Sequence, residues 1–300
     1  MARRASMDMA GAASLVALSV LFGFNQVTIK IVNTGFNPVL AAGLRSALAL
    51  VCVLAWMRWR GLGLRPAPGT VRLGATLGAV FAVEFLCIYL SLDFTTVTRA
   101  TVILYSMPVW LALAAHWFIP GERITARKAL GLVLAFGGMA GAMFDRGSLP
   151  PGAESTLPGD LLALGGALGW AAVALVARQA GTRGMGPEQQ LLWMVTVSAV
   201  LLLAVAPAFG PALREVTVLS VASLVFQGAI VVAVGFVAWF WLLATYPPSG
   251  VASFSFLSPV LALFLGWLLL DEPVSPGLLA AGTLVAVGLV VINWPGRASA

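Results

Sequence analysis

Apolar runs of about twenty residues alternate with short polar connections along almost the whole chain. A helix rising about 1.5 Å per residue needs a run of that length to cross a hydrocarbon core of about 30 Å. The runs do not alternate strictly between apolar and polar positions, which sets a transmembrane barrel aside. The pattern predicts ten helices, at 12–33, 38–58, 73–94, 98–119, 127–144, 159–180, 188–207, 217–243, 249–270 and 275–294. Short connections make neighbouring helices antiparallel. The longest polar connection, Asp145 to Asp160, carries two Pro-Gly turns. It divides the chain into a first five-helix unit (1–146), a linker (147–158) and a second five-helix unit (159–300).

The two units echo each other. Ser106-Met107-Pro108-Val109, an apolar run and Gly121-Glu122-Arg123-Ile124-Thr125 return 151 positions later. The second version reads Leu257-Ser258-Pro259-Val260, an apolar run, then Asp271-Glu272-Pro273-Val274-Ser275. Gly131 and Gly137 return as Gly282 and Gly288 at the same offset. A fixed-offset echo marks an internal duplication. Five spans per copy is an odd number, so the second copy must enter the membrane from the opposite side. The expectation is an all-α integral membrane fold, ten transmembrane helices in two inverted five-helix repeats around a central cavity.

Composition agrees with the pattern: 60% of residues are hydrophobic and 9% are charged, against about 25% charged in soluble domains. A net charge of +6 is a balance that nucleic-acid binders share. The cations lie in short loops between spans, so no nucleic-acid partner is expected. With the N-terminus in the cytoplasm, twelve of the seventeen Lys and Arg fall on cytoplasmic segments. Lys30, Arg99, Arg146 and Arg214 fall on the other side, and Arg45 lies within a span. The positive-inside bias therefore places both termini in the cytoplasm. The first run is longer than a signal-peptide core and holds Asn25, Gln26 and Lys30, which favours a retained span. Cys52 and Cys87 sit inside apolar runs and read as small buried hydrophobes.

Polar residues at membrane depth carry the candidate chemistry. Asn25, Arg45, Glu84, Pro108, Trp170, Gln227 and Pro259 fall roughly 10–20 Å from a membrane face. Glu84 is the one acidic residue deep within a span, and it must be neutral, paired or facing water. It is a candidate for proton coupling, for holding a substrate amino group, or for a structural charge pair with Arg45. Arg45 could instead grip a substrate carboxylate or snorkel. Lys30 and His116 lie near span ends and read as interfacial. Asn25, Gln26 and Gln227 must face the bundle interior, for substrate or for each other. Thr101, Tyr105 and Pro108 share one helix face. Tyr89, Trp170 and Trp239 are candidates to line an apolar cavity. Pro108 and Pro259 each remove a backbone hydrogen bond and serve as paired hinges or as static kinks.

Phe22-Gly23-Phe24-Asn25 with Lys30, Pro38 with Arg45, and the two proline-to-Glu stretches resemble the drug/metabolite transporter superfamily, specifically its EamA-type ten-helix exporters. The resemblance covers nearly the whole chain. It implies a multi-pass protein of a bacterial inner membrane that exports or exchanges small metabolites by alternating access. Amino acids, aromatic or apolar ones included, are the implied substrate class. A proton is the candidate coupling ion, and the protein is expected as a monomer or homodimer in the lipid bilayer. An exporter of lipophilic cations or drugs, and a channel, are the alternatives. The chain holds no HExxH, GxSxG or P-loop signature and a single histidine. No catalytic residue, metal or cofactor is therefore expected.

Overall fold

The computed structural model describes residues 8–66, 68–118, 124–150, 153–246 and 257–293. Among them the regular elements are helices, with one isolated antiparallel bridge between Phe36 and Leu213. The first unit holds α1 (Met9–Gly35), α2 (Pro38–Trp59), α3 (Val71–Phe94), α4 (Val97–Leu104), α5 (Met107–Phe118) and α6 (Ala126–Phe144). The second holds α7 (Leu157–Thr182), α8 (Pro187–Val205), α9 (Val218–Val225), a π-helical segment (Phe226–Gly235), α10 (Phe236–Thr245), α11 (Leu257–Leu270) and α12 (Pro276–Asn293). Among the described residues, eight stretches are long and apolar enough to cross a membrane, and α11 and α12 are shorter apolar helices.

Local chemistry sets the helix starts. The Asp8 carboxylate accepts from the Gly11 N–H at 2.8 Å. Asn37 accepts from the Val39 and Leu40 N–H groups, and Pro38 follows at a position that needs no donor. Thr217 and Ser220 form a reciprocal capping box at α9.

Two predicted spans differ from plain helices. The span expected at 98–119 is broken between Leu104 and Met107, where Pro108 cannot supply the bond a continuous helix requires. The span expected at 217–243 is continuous from Val218 to Thr245, but its middle ten residues are π-helical. Wide π turns of this kind concentrate at functional sites. Of the span expected at 249–270, only Leu257–Leu270 is described. Gly121, Glu122, Arg123, Trp294 and Arg297 also lie outside the described residues.

The exterior is apolar, and the mainly apolar interior also buries many polar and charged groups. Val51, Val83, Val133, Val200 and Val234 are exposed, while Arg45, Glu84, Arg99, Asp160 and Gln227 are buried. Trp59 and Trp117 are exposed at helix ends, where aromatic side chains suit a membrane interface. Inside, α3 packs along α7 and α8, α2 along α8 and the π segment, α1 along α9 and α11, α4 and α5 along α7, and α6 along α12.

The helix ends share two rims. Tyr246, just past α10, donates to Asp8 ahead of α1 at 2.7 Å. At the opposite rim, α7 starts where α3 finishes, with Asp160 accepting from Thr95 at 2.7 Å.

The α6–α12 contact is the tightest backbone approach. A Cβ on Gly288 would sit 2.5 Å from the Gly131 carbonyl oxygen and 2.7 Å from the Ala135 nitrogen. Gly288→Leu should therefore force the two helices apart and cost about 2 kcal/mol. A drop in thermal unfolding midpoint in detergent is the expected result. Gly137→Ala, where nothing lies within 4 Å of the new Cβ, should leave the midpoint unchanged.

Candidate functional site

Between the two units lies a cavity of about 420 Å³, within the usual range for small-molecule sites. Its lining comes from both units: Phe22, Asn25 and Gln26 of α1, Glu84 and Phe85 of α3, Trp170 of α7, and Trp239 of α10, among others. Ser19 and Phe22 lie in the first half of α1, and Trp239 lies near Tyr246, so the cavity is displaced toward the rim that carries Asp8.

The break at Pro108 brings Tyr105 to the wall. The Tyr105 N–H still reaches the Thr101 carbonyl at 3.0 Å, and the chain then turns before α5. The Ser106 hydroxyl donates to the Ile103 carbonyl at 2.6 Å and accepts from Trp110 Nε1 at 3.1 Å, which closes the gap on its other face. Tyr105 meets Trp170 edge to face, with ring centroids 5.6 Å apart. Ser258, beside Pro259, lines the same cavity, so the lining takes in the surroundings of both echoed prolines. Pro108 itself lines the cavity; Pro259 sits in the first described turn of α11, and the residues before Leu257 lie outside the described ones.

Arg45 and Glu84 both line the cavity and both are buried, Arg45 to 1% and Glu84 to 5% exposure. The charge pair expected between them is not formed: no ion pair within 4.0 Å joins them among the described residues. The Arg45 guanidinium lies instead over the Phe85 ring, 3.6 Å from its centroid. Arg45 Nε and Nη2, Glu84 Oε2 and Asn25 Oδ1 have no hydrogen-bond partner. Tight packing holds Glu84 in place, since a Cβ on Gly169 of α7 would fall 2.9 Å from the Glu84 Cα.

Asn25, Gln26, Arg45, Glu84, Tyr105, Pro108, Trp170 and Trp239 therefore line one cavity. Tyr89, Gln227 and Thr101 do not line it. The Tyr89 hydroxyl donates to Gln227 Oε1, Gln227 Nε2 donates to Thr28 Oγ1 at 3.1 Å, and Thr28 donates to the Asn25 carbonyl at 2.8 Å. This chain buttresses the cavity from behind and ends at Asn25. Thr101 is buried within α4. His116 lies beside Trp117 at the end of α5, and its Nδ1 accepts from the Ile124 N–H at 3.4 Å.

The far rim carries a network that sequence reading did not anticipate. Arg99 is 1% exposed and pairs with Asp160 at 2.7 Å. It also donates to the Ser148 hydroxyl and to the Met143 and Asp145 carbonyls. The Glu272 carboxylate accepts from the Val97 and Thr98 N–H groups at 2.7 and 2.8 Å, capping α4. Burial raises the Glu272 pKa above the ordinary carboxylate value, against the pull of those two N–H groups and of Lys30. Lys30 donates to the Leu92 and Thr95 carbonyls at 2.6 and 2.7 Å, so it closes the end of α3 and does not snorkel. The clue in sequence was a set of acidic residues, Asp145, Asp160 and Glu272, at the ends of spans facing the few cations of that side.

The profile of the EamA-like transporter family matches residues 9–144 and again 157–294. An uncharacterised transporter of Bacillus subtilis is 25% identical over 92% of this chain and 94% of its own length. A protein of Escherichia coli, named as a probable amino-acid metabolite efflux pump, is 24% identical over 91% of each chain. A solved crystal structure superposes with a TM-score of 0.65 at 21% identity, covering 94% of this chain and 97% of its own, which shows the shared fold. The chain belongs to the EamA-like transporter family, within the drug/metabolite transporter superfamily, and is a multi-pass membrane protein.

The far-rim network generates a stability prediction. Arg99→Ala leaves the Asp160 carboxylate buried without its cation and should cost about 3 kcal/mol. Asp93→Ala removes the partner of Arg214, whose side chain is 39% exposed, and should cost about 1 kcal/mol or less. Thermal unfolding of the two variants in detergent checks the ranking.

Proposed function

We propose that this protein is a secondary transporter that exports or exchanges small metabolites, amino acids with apolar or aromatic side chains foremost, by alternating access. One observation carries the reading: a cavity inside the bundle holds an arginine and a carboxyl group, each with polar atoms lacking a partner, among aromatic side chains, while the far rim is closed by paired groups. In hydrocarbon such groups are retained where they meet a cargo or a coupling ion. The names of relatives agree, an amino-acid metabolite efflux pump and a probable terminal-alkyne amino-acid exporter among them.

Ten spans in two inverted repeats account for the packing. Exchanging the units turns the α3–α7 contact into the contact of α1 with α9 and the π segment, and the α1–α11 contact into that of α7 with α4 and α5. The α2–α8 and α6–α12 contacts map onto themselves. The rims support the inversion, since α7 begins at the rim where α1 ends. The loop cations support a bacterial inner-membrane location with the Asp8 rim and both termini cytoplasmic. In that orientation the state described faces inward. Export then requires the far-rim network to open and the break at Pro108 to flex. Glu84 is the candidate proton carrier. The lone carboxylate among aromatic rings also favours a second reading, an exporter of lipophilic cations.

Reconstituted into liposomes, the protein should exchange labelled phenylalanine or leucine against the same unlabelled amino acid. Failure to move any amino acid, with uptake of a lipophilic cation, would establish the second reading instead. Pro108→Ala should slow exchange by about ten-fold if the break is a working hinge; an unchanged rate would make it a static kink. Glu84→Gln should abolish acceleration by a pH gradient, and acceleration that survives would remove Glu84 as the proton site.

A further inference from the structure

Arg45 and Glu84 are the only side chains lining the described cavity that can carry a formal charge near neutral pH; its other titratable liner is Tyr105. They have opposite signs and neighbouring positions, yet they do not pair. Arg45 presents Nε and Nη2 without partners, one edge of its guanidinium, while its flat face rests on Phe85. Glu84, the residue before Phe85, presents Oε2 without a partner. The stack on Phe85 provides a cation–π contact but no hydrogen bond, so the donor edge is unsatisfied; it is sealed in the state described and meets an anion only when the side chains around it part. A guanidinium edge matches a carboxylate with two parallel N–H···O bonds. A carboxylate oxygen of Glu84 matches an ammonium.

Two opposite charges this deep would ordinarily collapse onto each other. The fold prevents it. Gly169 brings α7 flush against the backbone of Glu84, and the Phe81, Phe85 and Tyr89 rings surround the Arg45 guanidinium, 3.6–5.8 Å from their centroids. A ligand with one anionic and one cationic centre on adjacent atoms satisfies both at once. A ligand with a single charge leaves the other protein charge bare and buried. Next to the charges stand Phe22, Trp239 and Phe236, packed edge to face at 6.2–6.3 Å, and the Tyr105–Trp170 pair. They offer an apolar wall for a side chain and no further charge.

We propose that Arg45 and Glu84 form a zwitterion clamp: Arg45 binds the carboxylate of an α-amino acid, Glu84 binds its ammonium, and the aromatic wall holds an apolar or aromatic side chain. This rests on the transport reading of the same cavity and deepens it. It places the specificity in the requirement for both charges together. The clamp excludes deaminated acids and amides of the same side chain, and it excludes lipophilic cations.

The test is binding to the purified protein in detergent, which stands independently of flux. Calorimetric titration with phenylalanine and leucine is compared with phenylalaninamide and leucinamide, which lack the anion, and with 3-phenylpropionate and 4-methylpentanoate, which lack the cation. The amino acid should bind at least about ten-fold tighter than either singly charged analogue. Arg45→Gln should weaken the amino acid to the level of its amide and leave the amide unchanged. Glu84→Gln should weaken it to the level of the deaminated acid and leave that acid unchanged. This crossed pattern is one that a misfolded variant does not produce. Amides or acids binding the wild type as tightly as the amino acid would overturn the clamp, as would no binding by either family of compounds. Transport of a metabolite in liposomes despite either result would leave the transport reading standing without the clamp.

Discussion

A charged group in hydrocarbon must find a partner, a cargo or water, and the placement of the buried charges organises this protein. At the far rim the rule is met within the chain. Arg99 takes Asp160, Lys30 takes two carbonyls at the end of α3, and Glu272 takes the first N–H groups of α4. At the cavity it is not: Arg45 and Glu84 keep free bonding capacity a few turns away. The contrast is between one rim closed by satisfied polar groups and a cavity lined by unsatisfied ones, which is what the proposed carrier requires.

The same residues tie the two units together. Glu272 belongs to the second copy of the repeated proline-to-Glu stretch, yet it caps α4 of the first unit. Asp160 opens the second unit, yet it holds Arg99 and Thr95 of the first. Both bonds cross between units at the far rim, so separating the units there breaks several strong contacts together. At the other rim Tyr246 and Asp8 link α10 to the start of α1. Under the proposed alternating access, opening the far rim would break these contacts and form new ones nearer Asp8.

Much of the fold was legible because hydrocarbon thickness dictates run length and because the duplication is written twice. The described helices fall within the predicted apolar runs to a few residues, and Pro108 interrupts its span as proline chemistry requires. Eight of the wall and hinge candidates come together, because polar groups at mid-depth have few places to go. Tyr89 and Gln227 were legible as interior and not as partners; their bond depends on the π-helical turn, which no local pattern in Phe226–Gly235 announces. Arg99 counted as a loop cation because its sequence position is terminal, while its burial comes from α6 and α7, elements distant in sequence. The absence of an Arg45–Glu84 pair was illegible for the same reason: depth can be counted along a helix, but the stacking of Arg45 on Phe85 depends on how α2 and α3 rotate against each other.

The central claim is that the cavity holding Arg45 and Glu84 opens to the cytoplasmic side and takes the cargo. It is tested most directly by placing one cysteine at Ser19, on the cavity wall, after replacing Cys52 and Cys87. The expected result is reaction with a membrane-impermeant maleimide in inside-out vesicles, little reaction in right-side-out vesicles, and protection by a transported amino acid. Labelling only from outside, or labelling that the amino acid leaves unchanged, would contradict the account.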